Sequence, residues 1–339
     1  MNRTILILLG ASLGVVGLAN VTSPKAPVQF AVVERFKIGG DGGWDYLTLD
    51  PASRRLYVSR GNRIDVVNAD TGKVEGTIGG LKGAHQAVFA PKLNRGFTSN
   101  GGDDSVTIFD LATLKEIEAV KVGNRPDAIL FDDASGRVFT FNAASKDATA
   151  VDAKTGKVAG SVPLGGKPEF CAADGRGKVF VNVEDTNEVV CFNSKSLKVL
   201  KHWSIKPGDS PTGLGFDPAH RRLFSVCDGG RMMVSDSVRS KLVGEVPIGK
   251  GPDACVFDPK LGLVFSSNGE GTLTIARQES PDKYQVIQTL VTQRGARTCA
   301  LDPTTHRIYL ATAETQAVEG QRRPRMVPGT FVILVVGPA

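Results

Sequence analysis

The feature that most constrains this chain is a short segment that recurs seven times. In each copy an acidic or small residue opens a turn, and a hydrophobic run with an aromatic residue typically closes it. Two of the copies read Asp50-Pro-Ala-Ser-Arg-Arg-Leu-Tyr and Asp217-Pro-Ala-His-Arg-Arg-Leu-Phe. The copies begin at positions 50, 90, 132, 174, 217, 258 and 302, so their spacing is 40, 42, 42, 43, 41 and 44 residues. A nearly constant period of this length indicates a repeat architecture.

Each repeat unit contains four predicted strands. In the third unit one strand (Ala128–Phe131) leads into the anchor, and another (Val138–Phe141) leaves it. A third strand ends in Asp or Asn with Lys five residues later, as at Asp110 and Lys115. Asp and Asn suit this place because their side chains bond the backbone two residues on and close the turn. Four strands in about 40–45 residues is typical of a propeller blade. We therefore predict an all-β, seven-bladed β-propeller.

The two ends of the chain are predicted to close the ring. The seventh unit supplies only three strands, the last of them at Thr330–Val336, whereas the strand Phe30–Ile38 belongs to no unit. Pairing of these two strands in the last blade would remove the open edge of the sheet. The sequence therefore predicts a single propeller domain over residues 30–339, preceded by a linker over residues 20–29.

The first 19 residues have the pattern of a cleaved Sec-type signal peptide. A short positive start at Asn2-Arg3 is followed by the apolar stretch Thr4–Leu18, and Gly17-Leu18-Ala19 offers small residues for cleavage. We therefore expect an exported protein, periplasmic or extracellular, whose mature chain has no membrane span.

Several strands and turns resemble the YVTN-repeat or YncE-like β-propeller family. The resemblance is carried by Leu56-Tyr-Val-Ser, Val106-Thr-Ile-Phe-Asp and Val179-Phe-Val-Asn, and by Val-Gly-x-x-Pro-Asp turns such as Val122–Asp127. It covers residues 30–339 and implies an exported propeller that binds something at one face; single-stranded DNA binding is reported for YncE itself. The recurring Gly-His and Trp-Asp pairs of WD repeats are missing, since Trp-Asp occurs once, at Trp44-Asp45, and Gly-His does not occur. The two tryptophans cannot form the docking motifs of quinone-dependent dehydrogenases.

Charge and cysteine usage exclude some alternatives. Lys and Arg outnumber Asp and Glu by 41 to 35, but the excess is scattered and forms no basic run. The five cysteines are odd in number and lack a C-x-x-C motif; Cys171, Cys255 and Cys299 replace apolar residues of inner strands, which predicts packing. The four histidines lack the mutual spacing of zinc ligands.

Polar residues occupy one matching position in all seven units, five places before the anchor. In a propeller these positions converge at one mouth of the central channel, where loops meet ligands. Around the ring they are Asp45, His85, Asp127, Glu169, Thr212, Asp253 and Arg297. We predict a binding surface here that also includes the nearby Trp44, Arg125 and Lys167. Loops between the second and third strands, such as the one holding Arg60, should add polar groups on the same face.

Three interpretations of this ring remain open from the sequence. Ca²⁺ prefers oxygen ligands, and the ring offers four carboxylates as candidates: Asp45, Asp127, Glu169 and Asp253. Alternatively His85 could act as a general base while Arg297 fixes an anion, which makes these two residues the catalytic candidates. The charges could also simply pair with one another. No other cofactor is predicted.

One loop is about ten residues longer than its equivalents in other blades: residues 313–329, with Arg322, Arg323 and Arg325. Loops of this length in a compact domain are usually functional or disordered. The sequence favours a monomeric, non-catalytic propeller that binds an unknown protein or small molecule. The alternatives are a propeller-type hydrolase such as a lactonase and, by resemblance, a binder of single-stranded nucleic acid.

Overall fold

The computed structural model describes residues 28–317 and 325–339. The predicted signal peptide, residues 1–19, and most of the predicted linker lie outside these ranges. The described residues form seven four-stranded antiparallel sheets and one two-stranded hairpin. The prediction of a seven-bladed β-propeller is thereby confirmed. No helix in the described ranges has the length and apolarity needed to cross a membrane.

The strands follow the chain blade by blade, except that β1 (Phe30–Lys37) belongs to the last blade. Blades 1 and 2 consist of β2 (Leu47–Asp50), β3 (Arg55–Ser59), β4 (Ile64–Asn68), β5 (Val74–Ile78), β6 (Ala84–Ala90), β7 (Arg95–Asn100), β8 (Ser105–Asp110) and β9 (Glu116–Lys121), with a 3₁₀ turn at Pro91–Leu93. Blades 3 and 4 consist of β10 (Pro126–Asp132), β11 (Arg137–Asn142), β12 (Asp147–Asp152), β13 (Val158–Pro163), β14 (Pro168–Ala173), β15 (Lys178–Val183), β16 (Glu188–Asn193) and β17 (Val199–Ser204).

The remaining three blades follow the same plan. Blades 5 and 6 consist of β18 (Pro211–Asp217), β19 (Arg222–Cys227), β20 (Arg231–Asp236), β21 (Lys241–Pro247), β22 (Pro252–Asp258), β23 (Leu263–Asn268), β24 (Thr272–Ser280) and β25 (Lys283–Val291). Blade 7 consists of β26 (Cys299–Leu301), β27 (Ile308–Thr312), β30 (Val332–Pro338) and β1, and the long loop carries the hairpin β28 (Thr315–Gln316) and β29 (Arg325–Met326).

The ring closes through β1, as predicted. This strand runs antiparallel to β30, with Phe30 opposite Pro338 and Lys37 opposite Val332. The side chain of Phe36 is buried, and its ring lies 6.5 Å from that of Tyr309 on β27. The first segment of the domain is therefore held by both a backbone ladder and core packing, and blade 7 has four strands like the others.

The recurring Asp or Asn at the end of the third strand closes a turn in the predicted way. Oδ1 of Asp110 accepts hydrogen bonds from the backbone N–H groups of Ala112 and Thr113 at 3.0 and 2.7 Å. Its own N–H donates to the carbonyl of Lys115 at 2.9 Å, which explains the constant spacing between these two residues. The turns fix where each outer strand starts.

The core lies between neighbouring blades and is built mainly from their second and third strands. Phe139 of blade 3 packs edge-to-face on Phe192 of blade 4 with ring centroids 5.3 Å apart. All five cysteines are free and buried among such residues, and burial raises the pKa of thiols such as Cys171. This fits their predicted packing role. The rigid walls leave the loops at the two ends of the channel as the variable surfaces.

Candidate functional site

The innermost strands begin at one face of the ring, and the predicted polar positions meet there. Proline starts this strand in four blades and fixes the approach of the loop: Pro126, Pro168, Pro211 and Pro252. The channel mouth holds a cavity of about 240 Å³. Its lining residues are Asp45, Tyr46, His85, Arg125, Asp127, Ala143, Lys167, Glu169, Asp253 and Arg297. We call this the central cavity. Thr212 is not among the lining residues, and its hydroxyl donates to the carbonyl of Pro252 at 2.8 Å.

His85 is held between two carboxylates. Its Nδ1 lies 2.6 Å from Oδ2 of Asp45 and 3.5 Å from Oδ1 of Asp127. Burial alone would lower the pKa of His85, but the hydrogen bond to Asp45 and the charges of Asp127 and Asp45 outweigh it and raise the pKa to about 9. The imidazole is therefore a cation at neutral pH.

Arg297 joins blade 6 to blade 1. Its Nε donates to Oδ2 of Asp253 at 2.6 Å, and its Nη2 approaches Oδ1 of Asp45 at 3.4 Å. Burial raises the pKa of the Asp253 carboxyl, and the Arg297 charge opposes this effect without cancelling it. Asp45 thus contacts a cation with each of its oxygens, His85 on one side and Arg297 on the other.

The opposite side of the cavity carries a second ion-pair group. Nζ of Lys167 lies 2.5 Å from Oε1 of Glu169 and also pairs with Glu184. Burial, followed by the charge of Asp127, raises the pKa of Glu169. Burial also raises the pKa of Asp127, against the attraction of His85. Cationic and acidic side chains are equal in number around the cavity, but the acidic ones are the more easily neutralised.

Tyr46 is a lining residue that does not belong to the predicted set of polar ring positions. It is only 4% exposed, and its ring packs 5.0 Å from that of Phe170. Burial, with the charges of Asp253, Asp127 and other nearby carboxylates, raises its pKa well above the ordinary value. Among the described residues its hydroxyl has no hydrogen-bond partner. The sequence carries one signal for this residue. Of the seven residues that directly follow the predicted ring positions, two are aromatic, Tyr46 and Phe170.

Trp44 lies beside the central cavity and lines a neighbouring one. Its Nε1 donates to the carbonyl of Gly295 at 3.3 Å, and its ring lies 6.1 Å from that of Phe331. The neighbouring cavity has a volume of about 510 Å³ and shares two residues, Asp253 and Arg297, with the central one. Its other lining residues are Gly269, Arg294, Gly295 and Thr315. We call it the side cavity.

Arg60, one of the loop residues expected on this polar face, is instead a structural element. Its guanidinium is fully buried, lies 3.8 Å above the Phe331 ring and donates to the carbonyls of Gly39, Asp41 and Gly43. The glycine-rich segment before Trp44 is thus fixed by a buried cation.

The metal hypothesis concerns three neighbouring residues in particular. Asp45, His85 and Asp127 each offer a ligand atom, and these atoms lie within 4.8 Å of one another. The other two predicted carboxylates are ion-paired, Glu169 with Lys167 and Asp253 with Arg297. The donor set suits a divalent cation only when His85 has lost a proton, because a doubly protonated imidazole has no nitrogen lone pair to offer a metal.

The long loop approaches the site at its described base. Thr315 of β28 lines the side cavity, and the hairpin pairs Gln316 with Arg325. Arg322 and Arg323 lie outside the described residues.

Comparisons with known proteins agree on the fold and go no further. No known protein family is matched by this sequence, and no curated protein matches it. A chain of a mitotic checkpoint complex crystal structure is similar in fold, with a TM-score of 0.74, 12% identity, and coverage of 99% of this chain and 98% of that one. A chain of Kuenenia stuttgartiensis hydrazine synthase has a TM-score of 0.71, 16% identity, and coverage of 87% and 96%. At these identities the similarity defines the class, a seven-bladed β-propeller, and nothing finer.

Proposed function

We propose that this chain is an exported, YncE-like binding propeller that recognises a small anionic ligand in the central cavity without transforming it. One observation carries the proposal: cationic and acidic side chains from separate blades converge on one small cavity. Propellers commonly use the loops at one face for recognition, since the blades hold these loops rigidly. The resemblance in the YVTN-type strands and the predicted signal peptide support the export and family parts of the proposal.

A binding role fits the charge states better than catalysis. A general base must accept a proton at working pH, yet His85 with a pKa of about 9 already carries one. Asp45 contacts His85 and Arg297, so it is engaged as well. The groups that would be catalytic are thus arranged as a fixed electrostatic frame.

The sign of the ligand's charge follows from the charge states of the same side chains. The raised pKa of Glu169 and the raised pKa of Asp253 make these carboxyls partly neutral near neutral pH, while His85 and Lys167 stay charged. Arg125 lines the cavity and forms no ion pair with any residue that the structure describes, so the balance of the lining favours an anionic ligand. A polynucleotide gains little from this lining, because one tyrosine is the only aromatic residue in it.

Thermal unfolding with small probes tests the proposal. We expect malonate and succinate to raise the Tm of the wild type by binding the folded state, whereas glycerol and ethylenediamine at equal ionic strength should not. In Arg297→Gln and Lys167→Gln the malonate shift should shrink to less than half. The matched control is Arg231→Gln, whose exposed side chain pairs with Glu245 outside the cavity. Equal shifts in all variants, or no shift in the wild type, would contradict anion binding here.

A metal-assisted hydrolase, for example a lactonase, is the second candidate. The observation that favours it is the close grouping of Asp45, His85 and Asp127. If Ca²⁺ or Zn²⁺ binds there, its affinity should rise up to tenfold per pH unit below pH 9, because the metal must displace the His85 proton. Metal analysis of protein purified without chelator, beside the Asp45→Asn/Asp127→Asn double variant, checks this. Lactone turnover that is lost in His85→Ala would establish the chemistry; inert protein without metal would reject it.

A further inference from the structure

The central cavity does not end at the ring of charged residues. It adjoins the side cavity, and the Arg297–Asp253 ion pair belongs to the lining of both. The central cavity alone, at about 240 Å³, is smaller than the roughly 300–1,000 Å³ of typical ligand pockets, whereas the side cavity adds about 510 Å³. The two cavities together form a trough from the channel mouth toward the seam of blades 7 and 1.

The side cavity supplies an apolar surface in a fixed orientation. Trp44 is anchored through its Nε1 to the Gly295 carbonyl and packs against Phe331. Gly295 adopts φ +84 and passes so close that an added Cβ would lie 3.3 Å from the Trp44 ring. A rigid indole beside hydrogen-bonding groups can pack on the C–H face of a sugar ring or on an aromatic ring.

Two arginines extend the positive charge along the trough. Arg125 lines the central cavity and Arg294 the side cavity, and both are exposed. Neither forms an ion pair within residues 28–317 and 325–339. Arg125 also has a left-handed backbone with φ 55, where the matching positions Gly83 and Gly251 are glycine at φ 64 and 62. A side chain is disfavoured in that conformation, so Arg125 stands against local backbone preference, as does Ser210 with φ 45 at the matching position.

The polar groups of the cavity that have spare hydrogen-bonding capacity decide whether the ligand carries a sugar ring or an aromatic ring. Tyr46 lines the central cavity and is 4% exposed, and its hydroxyl has no hydrogen-bond partner in the described part of the chain. Each carboxylate of the lining can accept more hydrogen bonds than it does. A ligand rich in hydroxyl groups would satisfy these groups. A plain aromatic acid would bury them unpaired, at a cost in affinity.

We propose that the trough binds an acidic saccharide of at least two rings, with a carboxylated ring in the central cavity and a second ring on Trp44. This inference rests on the proposed function, because it assumes that the central cavity holds an anion. The cations position the carboxylate, Asp253 and Tyr46 meet hydroxyl groups, and Trp44 contributes the apolar contact. The ligand thereby spans blades that are far apart in the sequence.

Digalacturonate is the probe, followed through tryptophan fluorescence in the full chain. The other tryptophan, Trp203, is buried in blade 4 against Ser235, so a saturable change should come from Trp44. Isothermal titration calorimetry gives the affinity independently in the unmodified protein and in every variant, including Trp44→Ala, which lacks the fluorescent reporter. We expect affinity to fall at least tenfold in Trp44→Ala, Arg294→Ala and Arg125→Gly.

Arg221→Gly is the matched control for Arg125→Gly. Arg221 is also an exposed arginine, with a left-handed φ of 58, but it lies on the opposite face beside Arg176 and Lys178. Both changes relieve the same backbone preference, so neither should lower the Tm. Only the change at Arg125 should weaken binding.

The remaining outcomes separate the two proposals. If neutral digalactose binds as tightly as digalacturonate, the proposed need for a carboxylate is wrong. If Trp44→Ala keeps the affinity of the wild type, the ligand does not use the side cavity. If neither saccharide binds while malonate still stabilises the wild type but not Arg297→Gln, the saccharide inference fails and the proposed function stands. If malonate fails as well, both are rejected.

Discussion

His85 and Asp45 are joined across the boundary of two blades by a 2.6 Å contact between Nδ1 and Oδ2. They occupy the same position in successive repeats, 40 residues apart. The closeness of the carboxylate overcomes the effect of burial and keeps the imidazole protonated. The contact therefore connects the repeat of the sequence directly to the charge of the site.

Stability should fall as the pH rises toward 9. The pKa of His85 is about 9 in the folded protein against an ordinary value of 6.5, so its contribution is complete below pH 6.5 and is lost through pH 9. The buried carboxyls act in the same direction, since raised pKa values favour their protonated forms in the folded state. Because about a third of the His85 side chain meets solvent, we expect a loss of about 1–2 kcal/mol. Urea unfolding from pH 6 to about pH 10 measures it, and the curve for His85→Gln should be flatter; parallel curves would refute the assignment.

Gly101→Ala should displace the His85 side chain by steric contact while leaving the His85 residue itself unchanged. An added Cβ would lie 2.8 Å from Nε2 of His85 and 3.1 Å from the carbonyl oxygen of Pro126. We expect a destabilisation of about 1–3 kcal/mol and a shift of the imidazole resonance in NMR. Gly79→Ala is the control, because nothing lies within 4 Å of its added Cβ. An unchanged imidazole signal in Gly101→Ala would contradict the packing described here.

Ring closure should depend on the anchor of β1. Phe36 is 4% exposed and packs against Tyr309, so Phe36→Ala should cost about 3–5 kcal/mol in unfolding free energy. Val33 on the same strand is 45% exposed, and Val33→Ala should change stability by less than about 0.5 kcal/mol. Chemical denaturation of both variants provides the comparison. Similar losses would mean that the backbone ladder alone holds the strand.

The buried cation of blade 1 should be essential for the loop before Trp44. Arg60→Met removes the donors for the carbonyls of Gly39, Asp41 and Gly43, and we expect a loss of at least about 3 kcal/mol. Arg231→Met, at an exposed ion pair, should lose less than about 0.5 kcal/mol. The urea midpoint at constant m-value measures both. A small effect at Arg60 would show that water replaces the guanidinium.

The repeat made the fold and much of the cavity lining predictable. Because each anchor fixes the register of its blade, counting back five residues was enough to bring His85 and Asp127 to the same cavity. Closure by the strand at Phe30 followed from the missing fourth strand in the last unit. Periodic spacing carries this information, since each repeat is one structural unit.

The residues that the sequence did not reveal depend on the direction of a side chain or on a loop path. Arg60 was expected in a polar surface loop, but the carbonyls of the glycine-rich segment draw its guanidinium inward. Tyr46 follows Asp45 directly, yet only the three-dimensional structure shows that it lines the cavity. Trp44 was expected at the channel mouth and instead forms the wall of the adjoining cavity. No repeat position encodes these placements.

The contacts of Trp44 with Gly295 and of Asp45 with Arg297 join residues 251 and 252 positions apart, across the seam where β1 completes the ring. A chain that has formed six blades but not the seventh therefore has no complete recognition site. Binding competence requires the closed ring, and a ligand held there would draw the equilibrium toward it. The binding stoichiometry of the ligand would thus report on what fraction of the molecules in a preparation have a closed ring.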